Sequence, residues 1–151
     1  MKRCAGPLKF LVVEDEPLIS MDIEMMIADA GHQVIGTAAT LDEVQAMSQE
    51  QELNVALVDL HLARGSSGFD VSDHIQMRWP GAIIVFVTAN PSEIPEDFGG
   101  AHGVIAKPFS SAGFVSAMQY LKEGICDPPP VSPQPGSFVA SKAFAASWGA
   151  N

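Results

Sequence analysis

Basic residues are scarce in this sequence: eight Lys and Arg stand against eighteen Asp and Glu in 151 residues, for a formal charge of −10. A field of that sign repels a phosphate backbone, which argues against nucleic-acid binding. Cysteine is nearly absent. Cys4 and Cys126 make no disulfide framework, and lying near opposite ends of the chain they read as free thiols in a reducing compartment. No run of twenty apolar residues occurs, so no membrane span is expected. Met1-Lys2-Arg3 has the charge of an export signal, but Lys9 breaks the apolar stretch behind it and Glu14 closes it, leaving no adequate hydrophobic segment. A cytoplasmic protein is the expectation. The histidines at 32, 61, 74 and 102 show neither HExxH nor clustered spacing, so zinc chemistry is not expected.

What is present is a regular alternation. Short apolar runs at Leu8 to Val13, Gln33 to Thr37, Val55 to Val58, Ala82 to Val87 and Gly103 to Ala106 are separated by helix-like segments, the pattern of an α/β fold with a parallel five-stranded sheet. Runs that are apolar nearly throughout suit central strands covered on both faces. Pro17 opens a first helix whose apolar residues Ile19, Ile23, Met26, Ile27 and Ala30 share one face until Gly31. Thr40 with Glu43, and Ser67 with Asp70, have capping-box spacing and start helices near Leu41 and Gly68. The segment from Pro91 to Phe98 holds two prolines and predicts a brief, mobile helix. A last helix runs from about Ser111, with Phe114, Met118 and Leu121 on one face, to Gly124 as its stop.

The organisation expected is one domain over residues 1–124, followed at 125–151 by a proline-rich linker and tail. Ala140, Ala143, Phe144 and Trp148 share a helical face, so the tail reads as flexible or as a short docking helix, with the frayed form favoured.

In an open parallel sheet, ligands bind beyond the carboxyl ends of the strands. The residues there are Glu14 and Asp15, Asp59, Thr88 and Lys107. Singly each has a bland reading: Asp15 or Glu16 would serve as a helix cap before Pro17, and a Lys-Pro is usually a turn. Together they converge on one polar cluster. Asp59, after Val55-Ala56-Leu57-Val58, belongs on a pocket floor with Glu14 and Asp15 crowding it. Two carboxylates ~5 Å apart repel by roughly 3 kcal/mol at an effective dielectric of about 20. Lys107 does not neutralise three acids, and an all-oxygen ligand set favours Mg²⁺ as the further cation. The chemistry that fits is phosphoryl transfer onto Asp59, with Lys107 and Thr88 bonding phosphoryl oxygens.

On these residues the stretch from Leu8 to Gly124 resembles the receiver domain of bacterial two-component response regulators: Glu14-Asp15 as its acidic pair, Asp59 as phosphoacceptor, Thr88-Ala89, and Lys107-Pro108-Phe109. The resemblance implies a flavodoxin-like doubly wound sheet of order 2-1-3-4-5 and a cis Lys107-Pro108 bond. It also implies Mg²⁺ held by Asp15, Asp59 and the His61 carbonyl, with Glu14 acting through a bound water. Val104 stands where receivers usually carry an aromatic switch, and the loop after Asp59 reaches Gly68 one residue late. Both departures resemble the receivers of general-stress-response regulators and their stand-alone relatives.

The reading is a single-domain response regulator, not an enzyme beyond its own dephosphorylation. A sensor histidine kinase or phosphotransferase would dock on the first helix. An effector protein or second copy would take the face between the 91–98 segment and the last helix. No nucleic acid or membrane partner is expected. Two rivals remain. One is a haloacid-dehalogenase-type phosphohydrolase, which would need an acid where His61 stands. The other is a receiver-like scaffold indifferent to phosphorylation, for which Val104 is the best argument.

Overall fold

The computed structural model describes Cys4 and residues 6–149; the Met1-Lys2-Arg3 reading lies outside the described residues. Its strands are β1 (Lys9–Val13), β2 (Gln33–Ala38), β3 (Val55–Val58), β4 (Ile83–Thr88), β5 (Gly103–Ala106) and β6 (Phe138–Ala140). Its helices are α1 (Pro17–Asp29), α2 (Leu41–Gln45), α3 (Gly68–Arg78), α4 (Ser111–Cys126) and α5 (Lys142–Ala146). The sheet order is β2-β1-β3-β4-β5-β6. β1 to β5 are parallel in the doubly wound order expected, and β6 adds to the outer edge of β5 in the antiparallel sense.

Strand periodicity sends alternate side chains to two separate cores. Phe10, Val12, Val55, Leu57, Val85, Val87 and Ile105 face one layer with Ile23 and Ile27 of α1 and Phe114 and Leu121 of α4. Leu11, Val13, Ala56, Val58, Ile84, Phe86 and Val104 face the other with Val44 of α2 and Val71 and Ile75 of α3. Burial on both faces explains why the central strands read as continuous apolar runs.

The helix starts follow their caps. Thr40 Oγ1 accepts from Glu43 N–H at 3.2 Å, and Glu43 reaches back to Ala39 N–H at 2.7 Å. Ser67 Oγ accepts from Phe69 N–H at 3.1 Å, and Ser110 Oγ from Gly113 N–H at 2.9 Å. Gly31, with φ +87°, supplies the left-handed residue that ends α1.

Several expectations are corrected. Gly124 does not stop α4, which continues to Cys126; it is small because the Trp148 indole lies against it, where a Cβ would be 3.0 Å from the ring. The 91–98 segment forms no α-helix but two 3₁₀ turns, Pro91–Glu93 and Phe98–Gly100, because its prolines break the hydrogen-bond ladder. Of the two readings of the chain beyond 124, the structure has the short docking helix rather than the frayed tail, since α5 packs Phe144 into the core; the addition is β6, which extends the sheet.

Cys4 and Cys126 are not free thiols. They form a disulfide with Cα atoms 5.1 Å apart, despite a sequence separation of 122. β1 begins just after Cys4, and α4, running antiparallel to the strands it covers, ends beside that point. Distance along the chain concealed proximity in space.

Candidate functional site

Each expected site residue sits where a strand of the sheet runs out. Glu14 N–H bonds to Ala38 O at 2.9 Å, Asp59 N–H to Val13 O at 2.9 Å, and Lys107 N–H to Thr88 O at 2.8 Å, so the strand ladders themselves fix these backbones. The side chains follow. Lys107 Nζ donates to Glu14 Oε1 at 2.8 Å and to Asp59 Oδ2 at 3.1 Å, joining the ends of β1, β3 and β5. Glu14, Asp59 and Thr88 are buried, and Asp15 lies at the rim. One carboxylate oxygen from each of Glu14, Asp15 and Asp59 lies within 4.8 Å of the others.

The capping explanation for the acids fails. The residue preceding Pro17, Glu16, makes no side-chain bond to the α1 terminus; its own N–H is instead bound by Glu14 Oε2 at 3.1 Å. Burial holds the Glu14 carboxyl above its usual range, and the neighbouring Asp59 charge adds to that, against hydrogen bonds from Lys107 and Glu16 that pull it down. Burial alone would lower Lys107. Its hydrogen bonds to Glu14 and Asp59 outweigh that, and its pKa is raised. The ammonium is therefore firmly charged, but it faces three carboxylates. The surplus negative charge and the all-oxygen donor set fit a hard divalent cation such as Mg²⁺.

Asp59 Oδ1 accepts from His61 N–H at 3.2 Å, and the His61 ring pairs with Glu93 at 2.8 Å. Thr88 Oγ1 accepts from Asn90 N–H at 3.0 Å. The Lys107-Pro108 bond is cis. Val104 is buried and paired with Phe86 of β4, so no aromatic ring lies at that position.

Two residues escaped the sequence reading. Glu93 lies in the segment expected as a weak helix, where no pattern marks it as a partner for His61. Gly68 reads in the sequence as a helix start and a late loop glycine, with nothing to tie it to Asp59. A Cβ there would overlap the Asp59 carbonyl oxygen and lie 2.6 Å from Leu60 Cα, so glycine lets α3 start against the backbone of the phosphoacceptor candidate. A glycine directly after a serine cap, where alanine makes the better helix, was the signal available.

The family model for the response regulator receiver domain matches residues 10–119. The chain belongs to that family. Among its relatives, the phyllosphere-induced regulator PhyR of Methylorubrum extorquens is 40% identical over 116 residues, covering 73% of this chain and 41% of that protein. The transcriptional regulatory protein PdtaR of Mycobacterium tuberculosis is 26% identical over 117 residues, covering 76% of this chain and 57% of that protein. The solution structure of the PhyR receiver domain of Erythrobacter litoralis superposes with a TM-score of 0.69 at 30% identity, over 84% of this chain and 98% of that one. The chain thus spans about half the length of the curated relatives it matches, and what it shares with the PhyR proteins is a receiver domain of the general-stress-response type. No helix among the described residues is long and apolar enough to cross a membrane.

Proposed function

We propose that this receiver accepts a phosphoryl group on Asp59 from a sensor histidine kinase or phosphotransferase, in a Mg²⁺-dependent reaction, and acts through protein contacts as a relay switch or phosphoryl sink. The observation that carries this reading is Lys107 Nζ bonded to Glu14 and Asp59 at once, which builds a preorganised anion-handling site at the end of β3.

In the transfer, an Asp59 carboxylate oxygen attacks the phosphorus of a phosphohistidine. The P–N bond breaks as a P–O bond forms, and the donor imidazole leaves with a proton. Asp15, Asp59 and the His61 carbonyl would hold Mg²⁺, with Glu14 supporting through water; bound there, the ion neutralises charge on the phosphoryl oxygens. Lys107 turns from Asp59 to one phosphoryl oxygen, and the Thr88 hydroxyl donates to another. These residues act by position and charge, which is where the rate of phosphoryl transfer comes from.

Leu18, Met21 and Met25 form an exposed apolar stripe along α1, starting beside the site, and this is the surface proposed for the kinase or phosphotransferase helix. Relatives named for stress response and for anti-anti-sigma action support a protein effector in the same kind of pathway. The reading also proposes a cytoplasmic location, without the free-thiol argument that the Cys4–Cys126 disulfide removes, and no catalytic turnover beyond loss of the chain's own phosphoryl group.

The test is to incubate the whole chain with Mg²⁺ and acetyl phosphate and weigh it intact. One added phosphoryl group is expected, absent in Asp59→Asn and absent without Mg²⁺; beryllofluoride titration provides a second readout where the small donor reacts slowly. Release of many phosphates per chain would instead indicate a hydrolase. Equal affinity of wild type and Asp59→Asn for a kinase-dependent partner would indicate the scaffold reading suggested by Val104.

A further inference from the structure

β5 is paired on both edges. On the inner side Val104 faces Phe86 and Ala106 faces Thr88 of β4; on the outer side Gly103, Val104 and Ile105 face Ala140, Val139 and Phe138 of β6. β6 has three residues and α5 has five, too few for either to persist unsupported. Both form because the β5 edge and the flank of α4 receive them.

The reception is specific. Phe138 is buried with its ring over Gly103, where a Cβ would lie 2.6 Å from it, and it packs on Tyr120 of α4 at 5.8 Å between centroids. Phe144 meets His102 at 5.3 Å and Trp148 at 5.0 Å, and Trp148 meets Tyr120 at 5.7 Å. Ser141 N–H donates to His102 O at 2.9 Å, and Ser137 Oγ to Gly113 O at 2.7 Å. Lys142 reaches Glu96 of the 91–98 segment at 3.2 Å. The tail therefore touches β5, α4 and the segment after β4. Its tether is anchored, because Cys126 at the end of α4 is held to Cys4 and Glu123 grips Ser132 by both N–H and Oγ.

β5 also leads directly into Lys107, and Lys107 N–H is bound to Thr88 O. The two residues that would reorient toward a phosphoryl group are thus joined to the strand that carries the tail. We infer that residues 137–149 are a tethered internal partner of the β5–α4 face, seated in the unphosphorylated chain and released when Asp59 is phosphorylated. The inference rests on Asp59 being the phosphoacceptor. The occupant also describes the competitor that fits: an extended segment adding antiparallel to β5, with one aromatic opposite Ile105 and a second six residues further on. The tether keeps the tail at high local concentration, so a competitor gains access only when the seat itself is weakened.

Hydrogen exchange on the whole chain tests this, with Mg²⁺ alone and with Mg²⁺ plus beryllofluoride, alongside Asp59→Asn. Peptides covering 137–148 are expected to exchange at least tenfold faster in the loaded wild type, while β1 and β3 peptides stay protected. A Phe138→Ala, Phe144→Ala variant is expected to exchange fast in the tail in both states while still gaining a phosphoryl group from acetyl phosphate. Loading that is visible at Asp59 with the tail equally protected overturns the inference and leaves the phosphoacceptor reading intact. No loading by either reagent overturns both.

Discussion

Gly68 packs against the backbone of Asp59, the phosphoacceptor proposed above, and alanine there is a sharp perturbation. The added Cβ would overlap the Asp59 carbonyl oxygen and sit 2.6 Å from Leu60 Cα, where ordinary contact begins at 3.4 Å, so the backbone must yield by at least about 0.8 Å. Neither neighbour is a flexible side-chain tip. Both belong to the segment tied to β1 by Asp59 N–H and to α3 by Gly68 N–H, which bonds Leu60 O at 2.8 Å. In an ordinary helix position alanine would gain about 1 kcal/mol over glycine. Here the overlap opposes that with about 1–3 kcal/mol of strain, so a net loss of up to about 2 kcal/mol is expected. For a chain of this size that is a fall in melting temperature of up to about 8 °C. The functional effect is larger, since a displacement near 1 Å at a reacting group costs on the order of a hundredfold in rate. Scanning calorimetry and acetyl phosphate uptake by intact mass measure the two effects, with Gly81→Ala, which meets nothing within 4 Å, as the control. A Gly68→Ala chain as stable as the control, with an uptake rate within twofold of wild type, would refute the close-approach reasoning.

Lys107→Met removes the ammonium from between Glu14 and Asp59 and leaves carboxylate oxygens within 4.8 Å of one another, a repulsion of about 3 kcal/mol at an effective dielectric near 20. Calorimetric titration is expected to show tighter Mg²⁺ binding while phosphoryl uptake falls at least tenfold; unchanged Mg²⁺ affinity would contradict the charge balance drawn here. His32 and His102 accept backbone N–H bonds from Leu8 and Ile84 through Nδ1, and burial lowers the pKa of each below 6.5. Their stabilising contribution is present above pH 6.5 and lost as pH falls through the folded values, so the urea midpoint is expected to drop between pH 7 and 5. A flat midpoint would count against that. Reducing the Cys4–Cys126 disulfide, which closes nearly the whole chain, is expected to cost about 2–4 kcal/mol, read as a lower urea midpoint with reductant than without.

What the sequence made legible were the features with a local cause. The strand runs are apolar because both sheet faces are covered, and the site acids stand out because they follow such runs directly: Glu14 and Asp15 after β1, Asp59 after β3. Asp59 is the clearest instance, preceded by four buried residues. What stayed hidden were features whose cause lies elsewhere in the fold. Phe138-Val139-Ala140 has no periodicity to mark a strand, and forms one only because β5 offers an unpaired edge. The helical face drawn through Phe144 and Trp148 picked out side chains that do pack inward, but it assigned Ala140 to a helix when it lies in β6. Gly124 looked like a terminator because the indole that requires it is 24 residues away in sequence.

Val104 ties the site to the tail. A ring at that position can swing between a buried and an exposed rotamer and so report the state of the threonine before it. The branched valine side chain is restricted at χ1, and here it is buried, flanked in register by Phe86 on β4 and Val139 on β6. Side-chain rotation is therefore not a route by which a change at Thr88 or Lys107 leaves the site. What remains movable is backbone: the 91–98 segment, and the 3₁₀ turn where Phe98 holds a left-handed φ of +57°, a conformation costing a bulky residue on the order of 1–3 kcal/mol. Phe98 and Ile94 pack against the same core layer that contains Val104, and Lys142 of the tail pairs with Glu96 between them. A receiver that lacks the rotating ring thus has a strained turn just ahead of β5 and, on the outer edge of β5, a short strand that the proposal makes detachable. The release proposed for residues 137–149 assigns the switching step to the pairing of that strand rather than to the rotamer of one side chain.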